Sequence, residues 1–500
     1  MGSASDGVKE TQVKTMDEHF PMPVKARPYA HQQAAFDFAC SMFGLDGSPQ
    51  RARGIAFLMQ MGCGKSLTAI GTAGMLYQTG KVTRILVVSP LSITGVWQDE
   101  FSRYADFPYS MTVLKGSSAH RAEELSKIPD EGLQVVVTNY ESAWRTEDAL
   151  LAYDADLIIA DEGHKMKENR SRQSKGMQKL GDRARYKLLL TGTVITNREL
   201  DVFSQYRFLD SSIFGTSFYV FRNRYFDMTG YGNHIPVFRR CMGDDFLRRM
   251  HSIAYRVRKD ECLDLPDISE ETRYVELEKD AMDRYRELEK ESYTELNGAD
   301  VSAVNVLTKI LRLSQLTGGH LTDDTGNSSE VSCAKLDALS DIIDTAMEEE
   351  QKIVIMARFV PEMDQIEAML GKKGIGYACI RGGVKDRDGE VRKFQNEPSC
   401  RVFLGQIAAA GLGITLTAAH TMVFYSLDYS MSNFEQAKAR IHRISQKNDC
   451  LYIYLTAKGT IDGRVLRALR KKQDLAKALV DDYRNGKDPF RDEKEEEHGQ

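Results

Sequence analysis

Hydrophobic and polar positions along this chain follow two periods. Short apolar runs rich in strand-forming residues fall at Gly54–Leu58, Ile85–Ser89, Val135–Thr138, Leu157–Ala160 and Leu188–Thr191. A second series occupies Ile353–Ala357, Tyr377–Ile380, Val402–Gly405, Met422–Ser426 and Tyr452–Leu455. Helical patterns separate the runs within each series. Strands alternating with helices over such lengths predict parallel sheets covered on both faces. Two series with a different region between them predict two α/β lobes.

The intervening stretch, from Glu199 to Leu336, lacks the alternation. Within it, Phe203–Arg256 is rich in aromatics and arginines, Glu278–Leu316 reads as charged helices, and Leu265-Pro266-Asp267 is a candidate hinge. The expected organisation is a polar N-terminal segment over 1–26 and a first lobe over 27–265, with a helical insertion at about 200–255. A second lobe follows over 266–480, with a helical insertion at about 278–335, and then a charged tail over 481–500. The 42% hydrophobic and 28% charged fractions describe an ordinary soluble protein. No apolar run approaches the roughly 18 residues that span a bilayer, which predicts no membrane partner. Eight cysteines without a Cys-x-x-Cys pair suit reduced thiols in an intracellular compartment, cytoplasm, nucleoid or nucleus. A net charge of −5 means that a nucleic-acid partner has to be held by a local basic groove.

Three short motifs carry candidate chemistry. Gly62-Cys63-Gly64-Lys65-Ser66 follows the first strand and precedes an apolar helical stretch, which is the context of a phosphate cradle. There, glycines free the backbone N–H groups to close on phosphates, Lys65 reaches the β- and γ-phosphates, and the Ser66 hydroxyl binds Mg²⁺. Met59 stands where the full pattern has a glycine. Asp161-Glu162-Gly163-His164 ends the fourth run, at the strand edge where such folds place ligands. Asp161 is the candidate Mg²⁺ holder, and Glu162 the group that orients or deprotonates water. Thr191-Gly192-Thr193 closes the fifth run and is a candidate coupling element. Far downstream, Gln436, Arg440 and Arg443 are spaced to share one helix face, as an arginine-finger site requires.

In this order, the motifs resemble the superfamily-two helicase-like motors and, within them, the Swi/Snf family of DNA translocases, from Arg27 to Asp462. His31-Gln32 is similar to the family's adenine-recognising motif, which places Gln32, Met61, Gly62, Cys63, Gly64, Lys65 and Ser66 around ATP. Ser89, Ser92, Asn139 and Tyr140 fall in the strand-contacting motifs, and Gly411 and Thr417 in their counterpart on lobe two. Lys167 belongs to a basic run (Lys165, Lys167, Arg170, Arg172) after the acidic box, in which Gly163 replaces alanine. Thr191, Gly192, Thr193 and Gln436 match coupling positions, and Arg440 and Arg443, followed by Gln446, match the finger motif. Trp97 and Trp144 read as core residues.

The resemblance implies two tandem RecA-like lobes, each a parallel sheet flanked by helices, that close on ATP and Mg²⁺. It further implies a DNA-dependent ATPase that translocates on double-stranded DNA as a monomer, without obligatory strand separation; its targeting comes from a protein partner, from the Phe203–Arg256 and Glu278–Leu316 insertions, or not at all. A strand-separating or annealing motor, an RNA helicase and a non-hydrolysing scaffold are the alternatives. Thr191-Gly192-Thr193 and Gln446 speak against the RNA helicase, and the intact Lys65, Asp161, Glu162, Arg440 and Arg443 against the scaffold.

Overall fold

The computed structural model describes residues 19–192, 194–195, 198–230, 235–258, 265–296, 303–322, 327–384, 386–410, 414–443 and 445–477. Thr193, Gly411, the tail over 481–500 and most of the polar N-terminal segment lie outside the described residues, as does the Ser92 side chain.

The first sheet is built from β1 (Gly54–Met59), β2 (Arg84–Ser89), β3 (Ser110–Val113), β4 (Gln134–Asn139), β5 (Leu157–Asp161) and β6 (Tyr186–Leu190). An antiparallel hairpin, β7 (Phe226–Thr229) with β8 (Ile235–Phe238), stands apart from it, and β9 (Ala254–Val257) completes the sheet. The strand order is β3-β4-β2-β5-β6-β1-β9, every pair parallel. Every residue of β1, β4, β5 and β6 is buried, as continuous apolar runs between two helical layers should be.

A second sheet begins with β10 (Ile268–Val275). After a small antiparallel pair, β11 (His320–Thr322) and β12 (Ser328–Glu330), it continues through β13 (Ile353–Ala357), β14 (Gly376–Ile380), β15 (Cys400–Gln406), β16 (Thr421–Phe424) and β17 (Cys450–Ala457). Its order is β10-β17-β16-β13-β15-β14, again all parallel. Along β13, Val354 and Met356 enter one apolar layer while Ile353 and Ile355 enter the other, the period-two alternation of a sheet covered on both faces.

All ten apolar runs are strands, which gives the two α/β lobes expected. The intervening stretch differs from expectation, because it supplies an edge strand to each sheet. Ala254–Val257 pairs with β1 through Ala56↔Ala254, and Ile268–Val275 pairs with the whole of β17, from Ile268↔Cys450 to Val275↔Ala457. Its aromatics form a local core in which the Phe214 ring lies 5.3 Å from those of Phe221 and Phe246. The charged helices appear as Lys279–Leu296 and Ala303–Thr317. Among the described residues, no helix is long and apolar enough to cross a membrane.

Glu362, on the helix Val360–Lys372, ties the carboxyl edge of the second sheet together. Its Oε2 accepts the N–H groups of Arg358 and Phe359, both at 3.1 Å, and the Ser426 hydroxyl at 2.5 Å. Burial outweighs these bonds and raises its carboxyl from 4.5 to about 7. The folded lobe therefore holds this proton more tightly than the unfolded chain does. The associated stability is complete below about pH 4.5 and is lost as pH rises towards 7, by roughly 3 kcal/mol. Glu362→Gln should flatten that slope, as read from urea midpoints of lobe-two unfolding between pH 5 and 8.

Candidate active site between the lobes

The register of the first sheet sets the site. β5, β6 and β1 are neighbours, with Asp161 and Phe57 both paired to Leu190, so the chain leaves all three strands on one edge. After β1 it turns through Gly62 (φ 88°) and Gly64 (φ 85°) into the helix Lys65–Gln78. A Cβ on Gly64 would lie 2.0 Å from Gln32 Nε2. That approach is used: Gln32 Nε2 (3.3 Å) and His31 Nε2 (3.0 Å) both meet the Cys63 carbonyl. Lys65 Nζ donates to the Met59 carbonyl at 3.1 Å, so the position that lacks the usual glycine serves through its backbone.

The acidic pair is buried and elaborately held. Trp97 Nε1 donates to Asp161 Oδ2 (3.1 Å), the Glu162 N–H to Asp161 Oδ1 (2.9 Å) and the Tyr140 hydroxyl to the Asp161 carbonyl (2.8 Å). Glu162 takes a left-handed backbone (φ 51°), a conformation that costs about 1–2 kcal/mol. Burial and the neighbouring Glu162 charge raise Asp161, while Lys65 and Trp97 oppose them. Burial also pushes Glu162 upward, but His164, Lys65 and Arg440 outweigh it and hold that carboxyl low. His164 Nδ1 lies 3.2 Å from Glu162 Oε2. A Cβ at Gly163 would lie 2.0 Å from Leu189 Cδ1, so a larger residue here would need that leucine to shift.

The second lobe closes the site. Ser432 Oγ lies 2.9 Å from His164 Nε2 and accepts from Gln436 Nε2 at 3.3 Å. Arg440 donates to the carbonyls of Gln436 (2.7 Å) and Ile414 (3.0 Å), and its Nη2 reaches Met61 Sδ in the glycine loop at 3.4 Å. Arg443 donates to the Ile414 carbonyl (3.2 Å) and Thr415 Oγ1 (2.6 Å). Burial lowers both guanidiniums, Arg440 to about 9. Glu162 opposes the shift of Arg440, and Glu100 that of Arg443.

Arg440 thus reaches the glycine loop of lobe one, and the two arginines do not share one helix face. The helix Met431–Lys438 ends before them, and both arginines lie on irregular chain. Arg440 Nε takes the Gln436 carbonyl, and Gln446 Nε2 holds the turn through the carbonyls of Ala419 (2.8 Å) and Ile441 (3.1 Å).

Ser89, Asn139 and Tyr140 are buried, because the ends of the central strands β2 and β4 satisfy their polar groups internally. Ser89 bonds the Pro90 carbonyl, Asn139 caps Ser142 N–H, and Tyr140 supports Asp161. Thr417 is partly exposed beside Ser445, at 3.1 Å. Lys167 lies near Lys472 of lobe two, whose Nζ donates to the Tyr429 carbonyl at 2.7 Å; burial and the Lys167 charge lower the Lys472 ammonium. Thr191 is buried, with its N–H on the Phe57 carbonyl, and Gly192 accepts from Arg256 Nη1 at 3.3 Å. Trp97 is core, as expected, but is also a donor to the acid pair. Trp144 is only partly buried, between Arg145 and Arg172. Trp97, Glu100 and Ser432 were not among the expected site residues. The i, i+3 spacing of Trp97 and Glu100 on one helix was the available signal.

The SNF2-related domain matches residues 42–318, and the helicase conserved C-terminal domain residues 334–445. An uncharacterised ATP-dependent helicase of Mycoplasma pneumoniae is 27% identical over 85% of this chain and 40% of its own length. The CHD3-type chromatin-remodeling factor PICKLE of Arabidopsis thaliana is 26% identical over 84% of this chain and 32% of its own. The chain therefore spans well under half the length of these curated relatives. The Sulfolobus solfataricus SWI2/SNF2 ATPase core in complex with dsDNA is 24% identical, with a TM-score of 0.44 over 94% of this chain and 96% of that one.

Gly64→Ala combines a left-handed backbone with a collision at Gln32. We expect it to weaken binding of a fluorescent ATP analogue at least tenfold while circular dichroism stays unchanged, as equilibrium titration would read.

Proposed function

The chain belongs to the SNF2-related family, and from that premise we propose that it is a DNA-dependent ATPase moving on double-stranded DNA. The observation that carries this reading is the meeting of Arg440 with Met61 of the glycine loop, beside Glu162 and Lys65. Groups on two lobes then act on one nucleotide only when the lobes are together, which ties hydrolysis to inter-lobe motion.

In this reading the N–H groups of residues 62–66 and Lys65 bind the phosphates of ATP, and Gln32 steadies the loop. Asp161 and Ser66 offer hard oxygen donors at its edge, which fits Mg²⁺. Mg²⁺, when bound, supplies charge neutralisation on the phosphates. Glu162, held ionised by His164 and Arg440, orients the attacking water and accepts its proton as the bond to the ADP oxygen breaks. Arg440 and Arg443 face the charge that develops on the transferred phosphoryl group. Thr191, Gly192, Thr193 and Gln436 relay the change to the rest of each lobe.

Duplex DNA is the proposed track, gripped through its phosphates by Lys167, Thr417, Gly411 and the backbone near Ser89, Ser92 and Asn139. A protein partner supplies targeting, and one copy of the chain suffices on DNA. Names of the relatives, ATP-dependent helicase and chromatin-remodeling factor among them, support the reading.

ATPase rates measured side by side with duplex, single-stranded, forked DNA and RNA test it, and duplex should stimulate most. Rates indifferent to DNA would exclude the translocase reading. Arg443→Ala should lower kcat by about 10³-fold with ATP-analogue affinity within a few fold of wild type. An unchanged rate would remove the finger role.

A further inference from the structure

A chain of side chains runs from Glu162 across the cleft into lobe two, and one member of it belongs to no motif assigned above. His164 Nδ1 lies 3.2 Å from Glu162 Oε2. The other ring nitrogen, Nε2, lies 2.9 Å from Ser432 Oγ on the helix Met431–Lys438 of lobe two. Ser432 Oγ in turn accepts from Gln436 Nε2 at 3.3 Å, one helical turn further on. Ser432, His164 and Gln436 are all buried, so water competes little for these bonds. Among the described residues, the partner of Nε2 is this hydroxyl alone, and it comes from the other lobe.

Both ends of the chain dictate its direction. A carboxamide N–H can only donate, so Ser432 Oγ accepts from Gln436 and its single proton is left for His164 Nε2. An ionised carboxylate can only accept, so the nitrogen facing Glu162 is favourable there only when it carries a proton. The two demands agree on one form of the ring, a neutral imidazole protonated at Nδ1 and bare at Nε2.

We propose that Ser432 is a positioning residue that selects this tautomer of His164 when the lobes meet. Its hydroxyl donates to Nε2 and so holds the remaining imidazole proton on Nδ1, facing Glu162. The ring then steadies the Glu162 carboxylate as a neutral donor. With the lobes apart, Nε2 has no such donor and both tautomers are open to the ring. A serine that served only its own helix would leave the state of His164 unchanged.

This role deepens the ATPase reading and rests on it for a kinetic arm, whereas a spectroscopic arm needs no hydrolysis. In the nucleotide-free full chain labelled with ¹⁵N-histidine, the His164 signals are assigned by their loss in His164→Gln. They should show a pyrrole-type Nδ1 and a pyridine-type Nε2. Ser432→Ala should draw the two nitrogen shifts towards each other as the tautomers mix, and Ser432→Thr, which keeps a hydroxyl, should preserve the wild-type pattern.

With duplex DNA and ATP, Ser432→Ala should lower kcat about tenfold, as loss of one buried donor implies, with KM within about twofold. Adding Ser432→Ala to His164→Gln should cost no more than about a further twofold, because the serine acts through the histidine. A ring protonated at Nε2 in the wild type, or His164 signals indifferent to Ser432→Ala, would overturn the role. Wild-type protein that hydrolyses no ATP would instead remove the proposed function, and the spectra would still decide Ser432.

Discussion

Arg440 carries its charge in a place from which water is almost excluded. Among the described residues of its own lobe the guanidinium bonds the carbonyls of Gln436 and Ile414 and meets the like charge of Arg443, and the carboxylate that favours its charge, Glu162, belongs to the other lobe. For Glu162 burial likewise disfavours the ionised form, but His164 and Lys65 of its own lobe counter that ahead of Arg440. An isolated buried charge is far more costly than a paired one. Lobe two therefore presents a guanidinium that lobe one makes tolerable. The glycine loop, the kinked Glu162 backbone and the Ile414 carbonyl shared by both arginines are consequences of arranging that pairing.

Much of this was legible in the sequence, for a physical reason. Central strands of parallel sheets are wrapped on both faces, so their runs are apolar throughout, as in Ile355 or Val136, and stand out against any background. Edge strands are under no such demand. Ile268–Val275 reads Ile-Ser-Glu-Glu-Thr-Arg-Tyr-Val and is largely exposed, and Ala254–Val257 includes Arg256, so neither looked like a strand. Phosphate loop, acid pair and arginines were legible because their chemistry allows few substitutes.

The remainder was hidden because it depends on tertiary contact. Spacing alone put Gln436, Arg440 and Arg443 on one helix, but Arg440 finds better partners by leaving it. Ser89, Asn139 and Tyr140 had polar groups suited to DNA, and burial turned those groups inward. Trp97 was recognised as core, though nothing local could reveal that its indole N–H faces Asp161. The two departures at the site, Met59 and Gly163, have local explanations in a backbone carbonyl used by Lys65 and in the space taken by Leu189.

Lys167 and Lys472 bring like charges together from opposite lobes. Asp201 of lobe one and Asp428 of lobe two act on Lys472 in the opposite sense, so the seam sets charges of both signs against one another, and dissolved ions screen both. Ionic strength then bears on how the two lobes meet as well as on any contact with an outside charge. Lobe approach and screening of the seam become two descriptions of one equilibrium, so a salt titration of this protein reports on posture as much as on binding.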